Sequence, residues 1–181
     1  MDEAEDRRLV ELSCAGDLHA FEEIVLRYER VLFNVALRML GSHEDAMDVT
    51  QTSFLKAFRQ LDSYNPKHKF FSWLYRIQIN ETINLIKRRK PLSELPEDLL
   101  APEPDPEEEL SRSEVAAEVQ AALMELSVPL RQVIVLRHFG GLSYEEIGEV
   151  VAVPVKTVRS RLFEARHKLR NILVRQGAVS T

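Results

Sequence analysis

The feature that most constrains the fold of this chain is an acidic, proline-rich segment in its middle. Residues 91–111, PLSELPEDLLAPEPDPEEELS, contain five of the eight prolines and show almost no hydrophobic periodicity. Such a segment cannot bury enough apolar surface to fold alone, so it is predicted to be an extended linker. It divides the 181 residues into a domain over residues 1–90, a linker over 91–113 and a domain over 114–181.

Both flanking parts have the hydrophobic spacing of helices. From Phe21 to Met39 apolar residues recur every three or four positions, and no alternating run is long enough for a sheet. Gly16–Asp17 and Gly41–Ser42 are typical helix boundaries. The predicted helices lie near 3–14, 18–40, 44–61, 71–89, 114–126, 130–138, 143–151 and 155–175. The predicted fold class is therefore all-α, with two small helical domains.

Composition and spacing exclude several classes of protein. The sequence has no run of about eighteen apolar residues, the length that a membrane-spanning helix needs. Its acidic N-terminus is unlike a signal peptide. Cys14 is the only cysteine, and the five histidines have no paired ligand spacing. The chain shows no nucleophile–base pairing and no glycine-rich phosphate loop. We therefore expect a cytoplasmic protein with no catalytic residues, metal, cofactor or small-molecule substrate.

The charges are distributed unevenly along the chain. The net charge is −5, but Lys67–Lys90 and Lys156–Arg175 each contain seven cations against one acid. Between these basic segments lies the acidic linker. Because electrostatic fields are screened within about 10 Å at ordinary salt, local charge governs phosphate binding. Each basic segment is either a nucleic-acid surface or a solvated helix face, and charge alone does not decide between them.

The third predicted helix has an apolar and a polar side. On a helical wheel the expected core residues are Ala46, Met47, Thr50, Phe54, Ala57, Phe58 and Leu61. The opposite side carries Asp48, Gln51, Thr52, Leu55 and Arg59. Leu55 is then an apolar residue among polar ones. It is either an ordinary exposed leucine or part of a docking face for the helices of another protein.

The fourth predicted helix also has two distinct sides. Its apolar side carries Leu74, Tyr75, Ile79, Ile83, Leu85 and Ile86, and its other side carries Trp73, Arg76, Asn80, Asn84, Lys87 and Arg88. An aromatic ring can stack on an unpaired base, an amide can bind its edge, and cations can hold phosphates. Phe70 and Phe71 add aromatic rings just before the helix. The alternative interpretation is that Trp73 is a core residue at a helix start.

Residues 142–169, LSYEEIGEVVAVPVKTVRSRLFEARHKL, are typical of a helix-turn-helix. Ser143 and Glu146 form a capping box at the start of the first helix. In the second helix the residues predicted to be buried are Val155, Val158, Leu162, Ala165 and Leu169. Such a recognition helix places its N-terminal residues on base edges in the major groove and its cations on phosphates. An amphipathic helix of an ordinary bundle is the alternative.

Three segments in this order resemble the extracytoplasmic-function sigma factors of the sigma-70 family. DAMDVTQTSFLKAFRQLDSY resembles the polymerase-binding part of region two, and FFSWLYRIQINETINLIKRR resembles the part that melts and reads the minus-ten element. ALMELSVPLRQVIVLRHFGGLSYEEIGEVVAVPVKTVRSRLFEARHKL resembles region four, which reads the minus-thirty-five element. The three segments cover most of the chain outside the linker.

The resemblance implies a set of site residues. The implied contacts with core RNA polymerase, on a helical clamp of its largest subunit, are Asp45, Asp48, Gln51 and Leu55. The implied contacts with the minus-ten element, including a flipped base of the melted non-template strand, are Phe70, Trp73, Arg76, Asn80, Asn84, Lys87 and Arg88. The implied contacts with the duplex at the minus-thirty-five element are Lys156, Thr157, Arg159, Ser160, Arg161, Phe163 and Arg166.

The resemblance also implies partners and location. The chain would bind core RNA polymerase and promoter DNA and would direct initiation without catalysis of its own. An anti-sigma factor linked to the membrane is the expected inhibitor, in a response to stress or to envelope damage. The chain would then be cytoplasmic, either at the nucleoid or held at the membrane by that inhibitor. The acidic linker would follow the RNA exit path.

Several residues depart from the family pattern. Thr50 and Thr52 stand where the family usually has Val and Glu, and Lys156 replaces a frequent Gly. Glu164 stands where some members have a basic residue. Ala152 occupies a turn position where Gly is common, and a left-handed conformation there would cost about 1–2 kcal/mol.

Two other classes of function stay open on the residues alone. One is a helix-turn-helix regulator that binds its operator without polymerase, with the N-terminal half as a dimerisation or sensor domain. The other is an adaptor that occupies polymerase without initiating. An operator-binding assay without polymerase and a transcription assay with core polymerase separate these classes from an initiation factor.

Overall fold

The structure, a computed structural model, describes residues 3–89 and 106–177, without the side chains of 106–114. All regular structure in this part of the chain is helical, which confirms the predicted fold class. A single 3-10 turn, Leu61–Ser63, follows the third helix. The helices are α1 Glu3–Cys14, α2 Leu18–Leu40, α3 His43–Arg59, α4 Phe70–Arg89, α5 Pro106–Glu125, α6 Val128–His138, α7 Tyr144–Val151 and α8 Val155–Gln176.

Side-chain and backbone caps set the ends of α2 and α3. The Asp17 carboxylate accepts hydrogen bonds from the backbone N–H groups of His19 and Ala20 at the start of α2. Gly41 ends that helix with φ 73°, a left-handed conformation that favours glycine. The Ser42 hydroxyl then accepts from the backbone N–H of Asp45 and starts α3. These caps explain why the sequence signals placed the boundaries within one or two residues.

The N-terminal half is built around α2, which packs against α1, α3 and α4. The buried Asp6 carboxylate of this half pairs with two side chains of α2. The Tyr28 hydroxyl donates to the buried Asp6 carboxylate at 2.5 Å, and Arg27 Nη1 donates to the same carboxylate at 2.9 Å. Burial and the contact with Asp6 raise the pKa of Tyr28 above its ordinary value. The buried core side chains include Leu9, Ile24, Leu32, Met39, Leu74, Tyr75 and Ile79.

The C-terminal half packs α6 and α7 against the long helix α8, which also contacts α5. The predicted apolar stripe of α8 is largely confirmed: Val158, Leu162 and Ala165 are buried, whereas Val155 and Leu169 are half-buried. Their partners in the core include Leu123, Val133, Leu136, Leu142 and Ile147. None of the helices within residues 3–89 and 106–177 has the length and apolar character that a bilayer crossing requires.

The two halves pack against each other and share one hydrophobic core. The C-terminal end of α2 contacts α5 and α6, and α4 contacts α7. Gln120 on α5 accepts a hydrogen bond from Arg38 Nη1 at 3.0 Å. The Arg38 guanidinium also lies over the Phe139 ring, 5.0 Å from its centroid. The sequence predicted two domains and a linker but not this contact between them.

Two predictions about individual elements are wrong. Helix α5 begins at Pro106, inside the predicted linker; the rest of that linker, through residue 105, lies outside the described residues. On α3, Met47 and Phe58 were predicted to be core but are each 43% exposed. The predicted core residues Ala46, Thr50, Phe54 and Ala57 are buried, and Val49 and Ser53 are buried beside them. Both α2 and α4 contact α3.

Candidate nucleic-acid and protein interfaces

A polar strip runs along the outer side of α4. It consists of Trp73, which is half-buried, and the exposed residues Arg76, Asn80, Asn84, Lys87 and Arg88. From Trp73 to Lys87 successive members are three or four residues apart, so they lie one above the other on the same side, and Arg88 directly follows Lys87. The cations of the last turn lie at the helix C-terminus, where the macrodipole favours positive charge. The sequence-predicted partners are therefore brought together, with the exception of Phe70.

Phe70 lies in the core rather than on the strip. Its ring is 2% exposed and packs between Tyr28, Tyr64 and Trp73, with centroid distances of 6.1, 5.4 and 5.6 Å. The hydroxyl of Tyr64 donates to the backbone carbonyl of His68 at 2.5 Å, which fixes the loop before α4. In this conformation Phe70 cannot stack on a base. It supports Trp73 from behind and so holds the indole at the edge of the strip.

The N-terminal turns of α4 contact α7. Arg76 Nη2 donates to the backbone carbonyl oxygen of Glu149 on α7 at 2.6 Å, and the Tyr75 hydroxyl donates to that of Gly140, in the loop between α6 and α7, at 3.3 Å. Just before α4, Lys69 Nζ lies 2.9 Å from Glu146 Oε1 and 3.1 Å from Glu3 Oε1. Hydrogen bonds to both carboxylates raise the pKa of Lys69. This part of the strip is thus already engaged within the chain.

Helix α7, the turn and α8 form the predicted helix-turn-helix. The Ser143 backbone N–H donates to Glu146 Oε2 at 2.8 Å, and the Glu146 N–H donates to Ser143 Oγ at 3.2 Å, which completes the capping box. Partial burial raises the pKa of Glu146, but bonds from Ser143 and Lys69 outweigh it and leave that pKa lowered. A side chain at Gly148 would lie 2.9 Å from the Val153 carbonyl oxygen, so the turn needs glycine there.

Ala152 ends α7 in a left-handed conformation, with φ 54° and ψ 48°. It is the only non-glycine residue with positive φ in the described part of the chain. The strain that the sequence predicted at this position is therefore present. Glycine would adopt this conformation without the steric penalty of a β-carbon.

The outer side of α8 presents a mixed surface. Phe163 is 77% exposed, and Lys156, Arg159, Ser160 and Arg166 are also exposed, whereas Thr157 and Arg161 are partly buried. Over its first three turns this surface is about 15 Å long, from the rise of about 1.5 Å per residue. A helix of this size fits the major groove of duplex DNA, where an apolar side chain can contact a thymine methyl group.

The outer side of α3 borders an open groove against α2. Asp48 and Gln51 are exposed, and Leu55 is 57% exposed. Asp45, by contrast, is buried and forms a two-pronged ion pair with Arg89 at the end of α4. The groove has a volume of about 320 Å³ and is lined by Val25, Glu29, Arg30, Phe33, Met47, Thr50, Gln51 and Phe54.

The α2 wall of this groove was missed by the sequence interpretation. Val25 and Phe33 line this wall, and both lie in the stretch from Phe21 to Met39 whose apolar spacing predicts only that it is helical. A helical wheel describes one helix at a time, so it cannot distinguish a residue under a neighbouring helix from one beside a gap between two helices. The sequence does contain an indication of the groove, because α2 has more apolar residues than one side of a helix can hold.

Comparison with known proteins decides the family. Residues 24–91 match the family model for sigma-70 region 2, and residues 108–169 match the model for sigma-70 region 4. The chain is 38% identical to an RNA polymerase sigma-H factor from Pseudomonas aeruginosa, with 93% of this chain and 94% of that protein covered. It is 36% identical to an ECF RNA polymerase sigma-E factor from Haemophilus influenzae, with 92% and 94% covered.

The chain is an extracytoplasmic-function sigma factor of the sigma-70 family. The fold agrees with this assignment. A solved structure of the sigma factor RpoE from Bartonella quintana, in complex with the anti-sigma factor NepR, superposes with a TM-score of 0.71 at 25% identity and covers 84% of this chain and 96% of that one. The resemblance drawn from the sequence is thereby confirmed, and the chain directs promoter-specific transcription initiation by RNA polymerase. Which residues of this sigma factor contact DNA and polymerase stays a prediction.

Proposed function

We propose that the two halves of this sigma factor bind two different promoter elements, through the α4 strip and the outer side of α8, and that the chain has no catalysis of its own. The observation that carries the proposal is the chemical difference between the two surfaces. The strip combines an indole, two amides and cations, which suits unpaired bases. The outer side of α8 combines cations with small residues and Phe163, which suits the major groove.

On the α4 strip, Asn80 is the proposed contact to a flipped base of the non-template strand. It lies two turns after Trp73, on the same side of the helix. Flipping a base costs a few kcal/mol in lost stacking, which hydrogen bonds and stacking on protein must offset. Lys87 and Arg88, at the other end of the strip, would hold the phosphates on either side of the flipped nucleotide.

On α8, the proposed duplex contacts divide by chemistry. Ser160 and Phe163 would contact base edges, because both point outward one turn apart in the first half of the helix. Arg159 and Arg166 would contact the backbone. Because phosphate contacts carry no sequence information, the preference for the upstream element would come from Ser160 and Phe163.

The proposed polymerase contact is the outer side of α3 together with the α2–α3 groove. Leu55 and Met47 supply exposed apolar surface, and Asp48 and Gln51 supply hydrogen-bonding groups beside it. A helix of the largest polymerase subunit could cover this apolar surface and the hydrogen-bonding groups together. Asp45 has a different part in this proposal: its pair with Arg89 holds the end of α4 against the start of α3, so it positions the contact surface.

The regulation of the chain is also a proposal. The Bartonella quintana sigma factor that this chain resembles was solved in complex with an anti-sigma factor. By analogy, we expect an anti-sigma factor to hold this chain until a stress or envelope signal releases it. The chain would act in the cytoplasm at the nucleoid, or would be kept at the membrane by its inhibitor.

Transcription by reconstituted holoenzyme tests the proposal. Core RNA polymerase and this chain would be incubated with a library of genomic fragments, and the transcripts would be sequenced. We expect start sites that share two upstream elements and that are lost when the chain is omitted. The absence of chain-dependent transcripts, combined with tight operator binding by the chain alone, would instead support a regulator that acts without polymerase.

A further inference from the structure

Glu164 is an exposed acid on the outer side of α8. The inner side of this helix is marked by its buried residues, Val158, Leu162 and Ala165. At about 100° per residue, Glu164 lies about 50° from the line opposite the centre of that inner side. On the same wheel Arg159 and Arg166 lie about 90–110° from that line. Glu164 therefore faces outward more directly than either arginine does.

The side chains beside Glu164 are the ones proposed to contact base edges. Ser160 lies one turn before it, Phe163 directly precedes it, and both are exposed. Ser160 and Glu164 are about 6 Å apart along the helix axis, which corresponds to about two base pairs of about 3.4 Å each. If α8 places Ser160 and Phe163 on base edges, it also brings Glu164 within reach of a base pair in the same short element.

A carboxylate in this place distinguishes between bases. It repels phosphates at every sequence, so it weakens binding unless a base donates a hydrogen bond to it. Only two base groups donate in the major groove, the N4 amino group of cytosine and the N6 amino group of adenine. Adenine presents the N7 acceptor beside its amino group, whereas cytosine presents only the donor. Because an ionised carboxylate only accepts hydrogen bonds, it matches cytosine.

We propose that Glu164 is a specificity-determining residue for the upstream element and accepts a hydrogen bond from the N4 amino group of one cytosine. The inference rests on the proposed function of α8 and adds a contact that Ser160 and Phe163 do not supply. Guanine or thymine in that place puts an acceptor oxygen against the carboxylate. Glu164 thus rejects those two bases as well as favouring cytosine.

Lys168 holds the carboxylate of Glu164 in place. Its Nζ lies 2.8 Å from Glu164 Oε1, and both side chains are about half exposed. An ionised carboxylate has about four acceptor sites on its two oxygens. One oxygen can therefore keep the lysine while the other accepts from a base. The charge of the lysine also offsets part of the repulsion between the carboxylate and nearby phosphates.

Base substitution in the upstream element tests this contact. A promoter that the holoenzyme transcribes would be prepared with each base pair of its upstream element changed in turn to the other three. The affinity of the parent holoenzyme for every fragment would be measured by competition. We expect one base pair at which cytosine is favoured about ten-fold over the other bases, the effect of one hydrogen bond to a charged group.

Three variants identify the residue responsible for that preference. Glu164→Gln carries an amide, which suits adenine, so the favoured base at this pair should change from cytosine to adenine. Glu164→Ala should bind fragments with any of the four bases there about equally and keep the preferences at the other pairs. Glu11→Gln, at an exposed position of α1, removes the same charge and should keep every preference of the parent. Circular dichroism should be the same for all three variants.

Two results would overturn the contact. One is that both Glu164 variants keep the parent's base preferences, whether or not they bind all fragments more tightly. The acid would then act only by repelling phosphates. The other is a changed preference at a base pair where the parent holoenzyme does not favour cytosine.

The variant Phe163→Ala separates failure of this inference from failure of the proposed function. If Phe163→Ala changes the preference for the upstream element and the Glu164 variants do not, α8 still binds that element and only the Glu164 contact fails. If none of these variants changes any base preference, the proposed function of α8 fails and the contact fails with it.

Discussion

The guanidinium of Arg131 on α6 donates to the backbone carbonyl oxygen of Met39, in the last turn of α2, at 2.7 Å. The same group donates to the carbonyl oxygens of Met124 and Leu126 at 2.7 and 3.0 Å. Burial lowers the pKa of Arg131, but an arginine stays charged in proteins. The partial negative charge at two helix C-termini stabilises this buried cation, and Arg131 thereby ties the two halves of the sigma factor together.

Replacing Arg131 with methionine should therefore destabilise the whole chain. Three carbonyl groups would lose their buried donor, and we expect the free energy of unfolding to fall by about 2–4 kcal/mol. Urea unfolding followed by circular dichroism measures this change. Arg170→Met, at an exposed position of α8, is the control and should stay within about 0.5 kcal/mol of the parent protein. Equal unfolding midpoints for the two variants would contradict the assigned role.

Replacing Ala152 with glycine should stabilise the chain. The left-handed conformation at φ 54° costs alanine about 1–2 kcal/mol, and glycine avoids this steric cost. Glycine loses more chain entropy on folding than alanine does, which offsets part of the gain. The expected net gain is about 0.5–1 kcal/mol, measured by thermal or urea unfolding. The same substitution at Ala121, an exposed residue inside α5, should destabilise by about 1 kcal/mol. Changes of the same sign at both positions would disprove the strain.

Replacing Leu55 with aspartate should weaken binding to core polymerase. Burying a leucine contributes about 1.5–3 kcal/mol, so a charged residue there should lower the affinity at least about ten-fold. The helical circular dichroism should not change, because Leu55 is exposed in the free chain. Leu18→Asp replaces an even more exposed leucine at the start of α2 and should bind normally. Equal affinity of both variants would exclude Leu55 from the contact.

Replacing Asn80 with alanine should impair promoter opening more than polymerase binding. Loss of the amide contacts to a flipped base corresponds to about 1–3 kcal/mol, and hence to a ten- to hundred-fold loss of open complex. Permanganate reactivity of unpaired thymines reports opening, and a separate binding assay reports holoenzyme formation. Asn171→Ala, on the exposed side of α8, is the control and should open promoters normally. An equal loss of binding and opening would contradict the assignment.

The helix boundaries were predictable because local chemistry sets them. Asp17, Ser42 and Ser143 cap helices through their own side chains, and a cap is visible in the sequence beside the residues that it serves. The start of α5 at Pro106 was missed because the segment is rich in proline. Proline is tolerated in the first turn of a helix, where its missing N–H would have no intrahelical partner.

The accessibility of individual residues was less predictable. Phe70 was expected to face a base but lies against Tyr28 and Tyr64. Sequence shows that an aromatic residue lies near the start of α4, but not that Tyr64, in the segment after α3, packs over it. Met47 and Phe58 were assigned to the core for a related reason. The width of the buried side of a helix depends on how many neighbours pack against it, which a single-helix pattern does not encode.

The contact between the halves could not be predicted at all. Several of its polar bonds join side chains to backbone carbonyl groups, as from Arg76 to Glu149 and from Arg131 to Met39. Every residue has a carbonyl group, so such bonds leave no pattern in the sequence.

The central claim is that separate helices bind separate promoter elements. Site-specific cross-linking tests this claim most directly. A photoreactive amino acid would replace Asn80 in one holoenzyme and Phe163 in another, and the cross-linked nucleotides on a promoter fragment would be mapped. We predict that position 80 labels the melted non-template strand near the start site and that position 163 labels duplex DNA at the upstream element. Labelling of one common element by both positions would contradict the account.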